Sequence, residues 1–105
     1  MTTREELVDG VKYDITTDED GTTTYRFNKL IHRDNDLPAI ECADGTKWWF
    51  QHGLQNRDND LPAIEYADGS KFWYKGGRRH RDNDLPAMEY ADGSKAWYQH
   101  GNRVK

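Results

Sequence analysis

The chain has 105 residues, room for one domain, with 34% hydrophobic residues, 32% charged residues and a net charge of −4. That balance argues against a thick apolar core and against a global nucleic-acid footprint, while four Trp, six Tyr and three Phe argue against disorder. No apolar run approaches a membrane span, no signal-peptide segment follows Met1, and the single Cys42 leaves no internal disulfide, so a reducing, cytosolic setting is expected.

Residues 1–24 hold seven acids against Arg4 and Lys12, whereas the remainder is nearly neutral, with 12 acids and 13 Lys or Arg. Residues 1–12 read as a capping segment. Within it, Thr2–Val8 fits one or two helical turns, with Thr3 and Glu6 spaced as a capping box, or a strand running to Asp9-Gly10. Tyr13–Phe27 reads as a degenerate hairpin, because Asp20-Gly21-Thr22 lies one period before Asp44-Gly45-Thr46. A divergent first unit suits the end of a stacked array.

From Arg33 the chain writes one unit three times, starting at Arg33, Arg57 and Arg81, in steps of 24 residues without insertion. Residues 57–80 and 81–104 agree at 18 of 24 positions, which points to tandem duplication of one supersecondary unit. Asp44-Gly45, Asp68-Gly69 and Asp92-Gly93 read as two-residue hairpin turns. On that register Ile40 faces Trp49 and Glu41 faces Trp48. Ile40/Trp49, Ile64/Trp73 and Met88/Trp97 then form an inner ladder. The opposite face carries Glu41/Trp48, Glu65/Phe72 and Glu89/Ala96, together with Phe50, Tyr74 and Tyr98. Pro38, Pro62 and Pro86 enter strands where a missing donor does least harm, and Gly53, Gly77 and Gly101 fit chain reversals. The expected fold is all-β: residues 13–105 form an antiparallel meander of stacked 24-residue hairpins, about eight short strands in a single twisted layer.

The run Glu65-Tyr66-Ala67-Asp68-Gly69-Ser70-Lys71, followed by Gly76-Gly77-Arg78-Arg79-His80, resembles the MORN repeat (membrane occupation and recognition nexus). The resemblance covers roughly residues 13–104. Here Lys71-Phe72-Trp73-Tyr74 shortens the family's Tyr-x-Gly-x-Trp strand, and Arg-Asp-Asn-Asp-Leu-Pro-Ala replaces its Gly-x-Gly step. It looks like a variant of the kind also seen in bacterial and viral proteins. The resemblance implies an elongated twisted sheet and a role in scaffolding, partner binding or dimerisation, sometimes with membrane association.

Three Asp-x-Asp loops (Asp34/Asp36, Asp58/Asp60, Asp82/Asp84) invite a calcium reading. Leu and Pro follow where further ligands are needed, so a turn neutralised by Arg33, Arg57 and Arg81 is the better account. His32 and His80 lie two units apart, as do His52 and His100, too far for one zinc ion. No metal or cofactor is expected. Polar residues that recur every 24 positions offer no unique pocket, and Ser70 and Ser94 lack a repeating His partner, so no enzyme activity is expected. The copy-to-copy variation of the aromatic strip Trp48, Phe50, Phe72, Tyr74 and Tyr98 marks it as a protein-binding surface. Another protein and a second copy in a homodimer are the expected partners, with no duplex nucleic acid and no membrane span. A viral or bacterial source would make the module an inhibitor of a host or defence protein, acting in the host cytoplasm if viral. The runner-up is a small anion such as a nucleotide, held by the aromatics and the basic cluster Lys75, Arg78, Arg79, His80 and Arg81.

Overall fold

A computed structural model describes residues 1–105. It contains no helix and sixteen strands. β1 (Thr2–Val8) and β2 (Val11–Thr17) form a long hairpin paired from Thr2↔Thr17 to Val8↔Val11. Of the two readings of Thr2–Val8, the strand is therefore correct. Seven successive residues pair with β2, alternate ones exchanging ladder bonds, where a lone helical turn would leave its terminal amides unpaired. β3 (Thr23–Phe27) closes the degenerate hairpin on β2 through Ile15↔Tyr25 and also carries β4 (Leu30–Ile31).

Each repeat then contributes four two-residue strands. They are β5 (Ile40–Glu41), β6 (Lys47–Trp48), β7 (Phe50–Gln51) and β8 (Leu54–Gln55) in the first. The second has β9 (Ile64–Glu65), β10 (Lys71–Phe72), β11 (Tyr74–Lys75) and β12 (Arg78–Arg79). The third has β13 (Met88–Glu89), β14 (Lys95–Ala96), β15 (Tyr98–Gln99) and β16 (Asn102–Arg103). One antiparallel sheet runs β1-β2-β3-β5-β6-β9-β10-β13-β14, with β4 off its path. A second row holds the hairpins β7-β8, β11-β12 and β15-β16. Gly53, Gly77 and Gly101 join this row by donating to the carbonyls of Ile31, Gln55 and Arg79 at 2.8–2.9 Å. The molecule is elongated, 43 × 26 × 19 Å.

The hairpin register differs from the expected one by a single residue. Cys42 N–H donates to the Thr46 carbonyl and Gly45 N–H donates to the Cys42 carbonyl, which puts three residues, Ala43, Asp44 and Gly45, in the loop. Gly45 takes φ +97°, and Asp44 Oδ1 accepts from Thr46 N–H at 2.9 Å. Such three-residue loops end in a left-handed glycine bulge, and the extra residue advances the pairing by one. Ile40 therefore faces Trp48, Ile64 faces Phe72 and Met88 faces Ala96, while Glu41, Glu65 and Glu89 face Lys47, Lys71 and Lys95. A one-residue slip exchanges the faces. The Ile/Met–Trp49/73/97 ladder is replaced by an Ile/Met–Trp48/Phe72/Ala96 ladder.

Trp49 and Trp73 are nevertheless buried. Each stands just past its sheet strand and is closed over by the Arg-Asp-Asn-Asp loop of its own unit, with the indole N–H donating to the Asp36 or Asp60 carbonyl at 3.0–3.1 Å. The charged-face side of the sheet is thus covered by loops rather than by a second layer. The remaining core is thin: Tyr13 and Ile15 near the start, then Ala39, Ala63, Ala87, Ile64, Met88 and Ala96.

Candidate functional site

The Asp-x-Asp loops form clasps between units. Arg57 lies 3.8 Å over the Trp49 ring, donates Nε and Nη2 to the Asp36 carboxylate of the preceding unit at 2.8 and 3.2 Å, and donates Nη1 to Pro62 O and Glu65. Arg81 repeats every contact on Trp73, Asp60, Pro86 and Glu89. Lys105 stands one period later, bonding Asp84 at 2.7 Å with its ammonium 5.4 Å from the Trp97 ring. Arg33 covers Tyr25 and bonds Glu41, where position 12 supplies Lys rather than Asp. A planar guanidinium matches this mixture of ring and carboxylate as an ammonium cannot. The loops are neutralised as expected, but by the arginine of the next unit.

The histidines meet in a pairing that comparison of equivalent positions does not suggest. His32 stacks on His52 at 4.4 Å, and His80 packs on His100 at 4.5 Å. His32 Nδ1 accepts His52 N–H at 3.0 Å and its Nε2 meets Asp34 at 2.7 Å; His80 does the same with His100 and Asp82. Both ring nitrogens are engaged, so the network assigns the neutral tautomer with its proton on Nε2. In the middle joint Asn56 Oδ1 accepts Gly76 N–H at 2.8 Å, the same task done by an amide. Asp82 is held below the usual carboxylate range chiefly by its His80 hydrogen bond.

The five strip aromatics are half-buried. Trp48 stacks on Phe50 at 6.4 Å, and Phe72 sits edge-on between Tyr66 and Tyr90 at 5.0 and 5.4 Å. Tyr74 and Tyr98 are tied together by Arg79, whose Nε donates to Tyr74 Oη at 3.3 Å while its guanidinium lies 5.3 Å from the Tyr98 ring. The neighbours of this strip are Ile40, Ile64 and Met88, not the glutamates of the expected register. Two buried donors, Trp48 Nε1 and Gln55 Nε2, find no acceptor here.

The basic cluster does not converge. His80 is buried in its joint, Arg81 is engaged in the clasp, Arg79 turns to the tyrosines, and Lys75 sits 3.9 Å from Asp82. Neither Arg79 nor Arg78, which lies on the exposed rim of the hairpin packed against Gly101, carries an ion pair. Burial pushes the Cys42 thiol up, away from the thiolate form that makes a reactive cysteine.

The chain matches no protein-family model, no curated protein and no solved structure. The function therefore rests on the surfaces alone. Sequence reasoning missed the clasps and the histidine joints. The signal for both was present as pairs spaced 20–21 residues apart, Asp36/Arg57 and His32/His52, just short of the period.

Proposed function

We propose that this chain is a non-catalytic, MORN-like repeat module of the cytoplasm that binds another protein through Trp48, Phe50, Phe72, Tyr74 and Tyr98. The observation that carries the reading is the contrast between the faces. Loops and guanidinium groups close one, while the other leaves Trp48 and Phe72 half-exposed around the buried Ile64 and Met88. Aromatic side chains with a polar tip, set among Ile and Met, are the composition of interface hot spots. In solution the same strip supports a two-fold, face-to-face homodimer that a foreign partner displaces. In a viral or bacterial setting, occupation of a host or defence protein by this strip is inhibition.

The test is capture of a partner by the full chain, followed by titration of the purified pair. Trp48→Ala and Tyr98→Ala are expected to weaken binding about tenfold or more while the circular dichroism spectrum stays unchanged, and moderate salt is expected to matter little. Retained affinity in both variants, or a steep salt dependence abolished by Arg78→Ala, overturns it in favour of an anion-binding surface.

A further inference from the structure

Each unit receives the next along one edge, and the joints repeat the same contacts. At the β6–β9 joint Trp49 N–H donates to Ala63 O, Trp48 faces Ile64, Lys47 faces Glu65, and Thr46 Oγ1 accepts Ala67 N–H. At the β10–β13 joint Trp73 donates to Ala87 O, Phe72 faces Met88, Lys71 faces Glu89, and Ser70 Oγ accepts Ala91 N–H. The receiving edge is hydroxyl–Lys–apolar–Trp. The incoming segment is Ala–apolar–Glu–Tyr–Ala, five residues long.

The same edge stands again at Ser94-Lys95-Ala96-Trp97. Ala87 N–H donates to Ala96 O and Tyr90 N–H to Ser94 O, so Ala96 and Ser94 bond inward. Alternation along the strand then turns the Lys95 N–H and C=O outward, away from β13. Ser94 is exposed where Thr46 and Ser70 are buried, and Tyr90 is 41% exposed where Tyr66, its equivalent, is half-buried. Trp97 N–H is taken by Lys105 O at 3.2 Å, the longest of the equivalent bonds. Lys105 thus fills one position of the seat and leaves the Lys95 and Ser94 positions open.

We propose that the edge Ser94–Trp97 is a docking site for an extended strand of a second polypeptide carrying Ala–apolar–Glu–aromatic–Ala, added antiparallel to β14. The glutamate meets Lys95 as in the two inner joints, the apolar residue lies over the small Ala96, and the aromatic covers the Tyr90 ring. The last amide of the segment donates to Ser94 Oγ. Strand addition of this kind draws affinity from main-chain bonds and selectivity from alternate side chains. The chain's own free strand at the opposite edge, Thr2–Val8, lacks an apolar residue followed by Glu, and the segments that carry the pattern, 63–67 and 87–91, are already paired within the chain, so a second copy offers no free strand of this pattern. The site adjoins the aromatic strip at Tyr90 and Tyr98, but Trp48 lies two units away, so Trp48→Ala leaves the site unaltered.

The probe is the blocked peptide Leu-Pro-Ala-Ile-Glu-Tyr-Ala, identical to residues 61–67, titrated into the full chain and followed by amide NMR and hydrogen exchange. Saturable shifts of the Lys95 and Trp97 amides, with slowed exchange at Lys95, are expected. A peptide carrying Glu65→Lys should bind about threefold to tenfold more weakly, and the Lys95→Glu chain should reverse that preference. The reversal protects the test from a general loss of folding. Absence of shifts at millimolar peptide, or shifts centred on Trp48 and Phe50, overturns the proposal. So does association of the chain alone that Lys95→Glu abolishes, because that outcome assigns the edge to a second copy.

Discussion

Neighbouring aromatics in this chain have opposite fates. Trp49 and Trp73 sit under a guanidinium and a loop, while Trp48 and Phe72, one residue earlier, lie half-buried on the other face. The difference does not come from hydrophobicity, since the residues are alike. It comes from what the chain has available to lay over each face. The Arg-Asp-Asn-Asp-Leu-Pro segment must cross one side to reach the next strand, and it brings its own ring cover, carboxylate and carbonyl acceptor. On the other side Ile64 and Met88 are buried among neighbouring side chains, while Trp48 and Phe72 stay half-exposed.

The largest effect that separates the faces is expected from Trp73→Ala. Truncation of a buried aromatic costs about 3–5 kcal/mol, whereas Phe72→Ala, already half-exposed, should cost about half as much. Urea midpoints decide it, and equal midpoints would erase the distinction between faces. Next comes Arg81→Ala, which uncovers Trp73 and strips partners from Asp60 and Glu89 at once. A loss of about 1–3 kcal/mol is expected, with Arg81→Lys recovering only part of it. No recovery difference between Lys and Ala would show that the fork geometry is irrelevant.

A smaller effect compares the joints. His80→Asn should be tolerated to within about 1 kcal/mol because Asn56 already performs the task, while His80→Ala removes a buried ring and the acceptor of the part-buried His100 N–H and should cost about 1–3 kcal/mol. Similar melting temperatures for the two variants would contradict the shared role. The smallest effect is the acid response. Asp20, Asp44 and Asp92 are held below the usual range by backbone amides at Thr22, Thr46 and Ser94, and Asp82 by His80. A depressed folded-state pKa adds stability that is present above the unfolded value of about 3.9 and is lost as pH falls through the folded one. The contribution of these four carboxylates to the denaturant midpoint should therefore hold down to about pH 4 and fall below it. A midpoint that rises on acidification would reverse the sign.

Much of the fold was legible in the sequence because it depends on local chemistry. The 24-residue period, the Asp-Gly hairpins, the degenerate unit at Tyr13–Phe27 and the all-β class all follow from residues acting on near neighbours. The hairpin register was not legible, because Asp-Gly serves both two-residue and three-residue loops. Only the bond from Gly45 N–H to Cys42 O shows which is present. That single residue decided which aromatics share a face with Ile40, Ile64 and Met88.

The sequence by itself determined that identical units repeat and that aromatics must supply the burial. Tertiary structure alone decided how one unit touches the next. Arg57 and Asp36, or His32 and His52, come together only when the chain folds back and stacks, and no local preference encodes that distance. Repetition hides such contacts, since each Arg-Asp-Asn-Asp loop offers the same carboxylates and only the geometry of stacking selects the preceding loop over the unit's own.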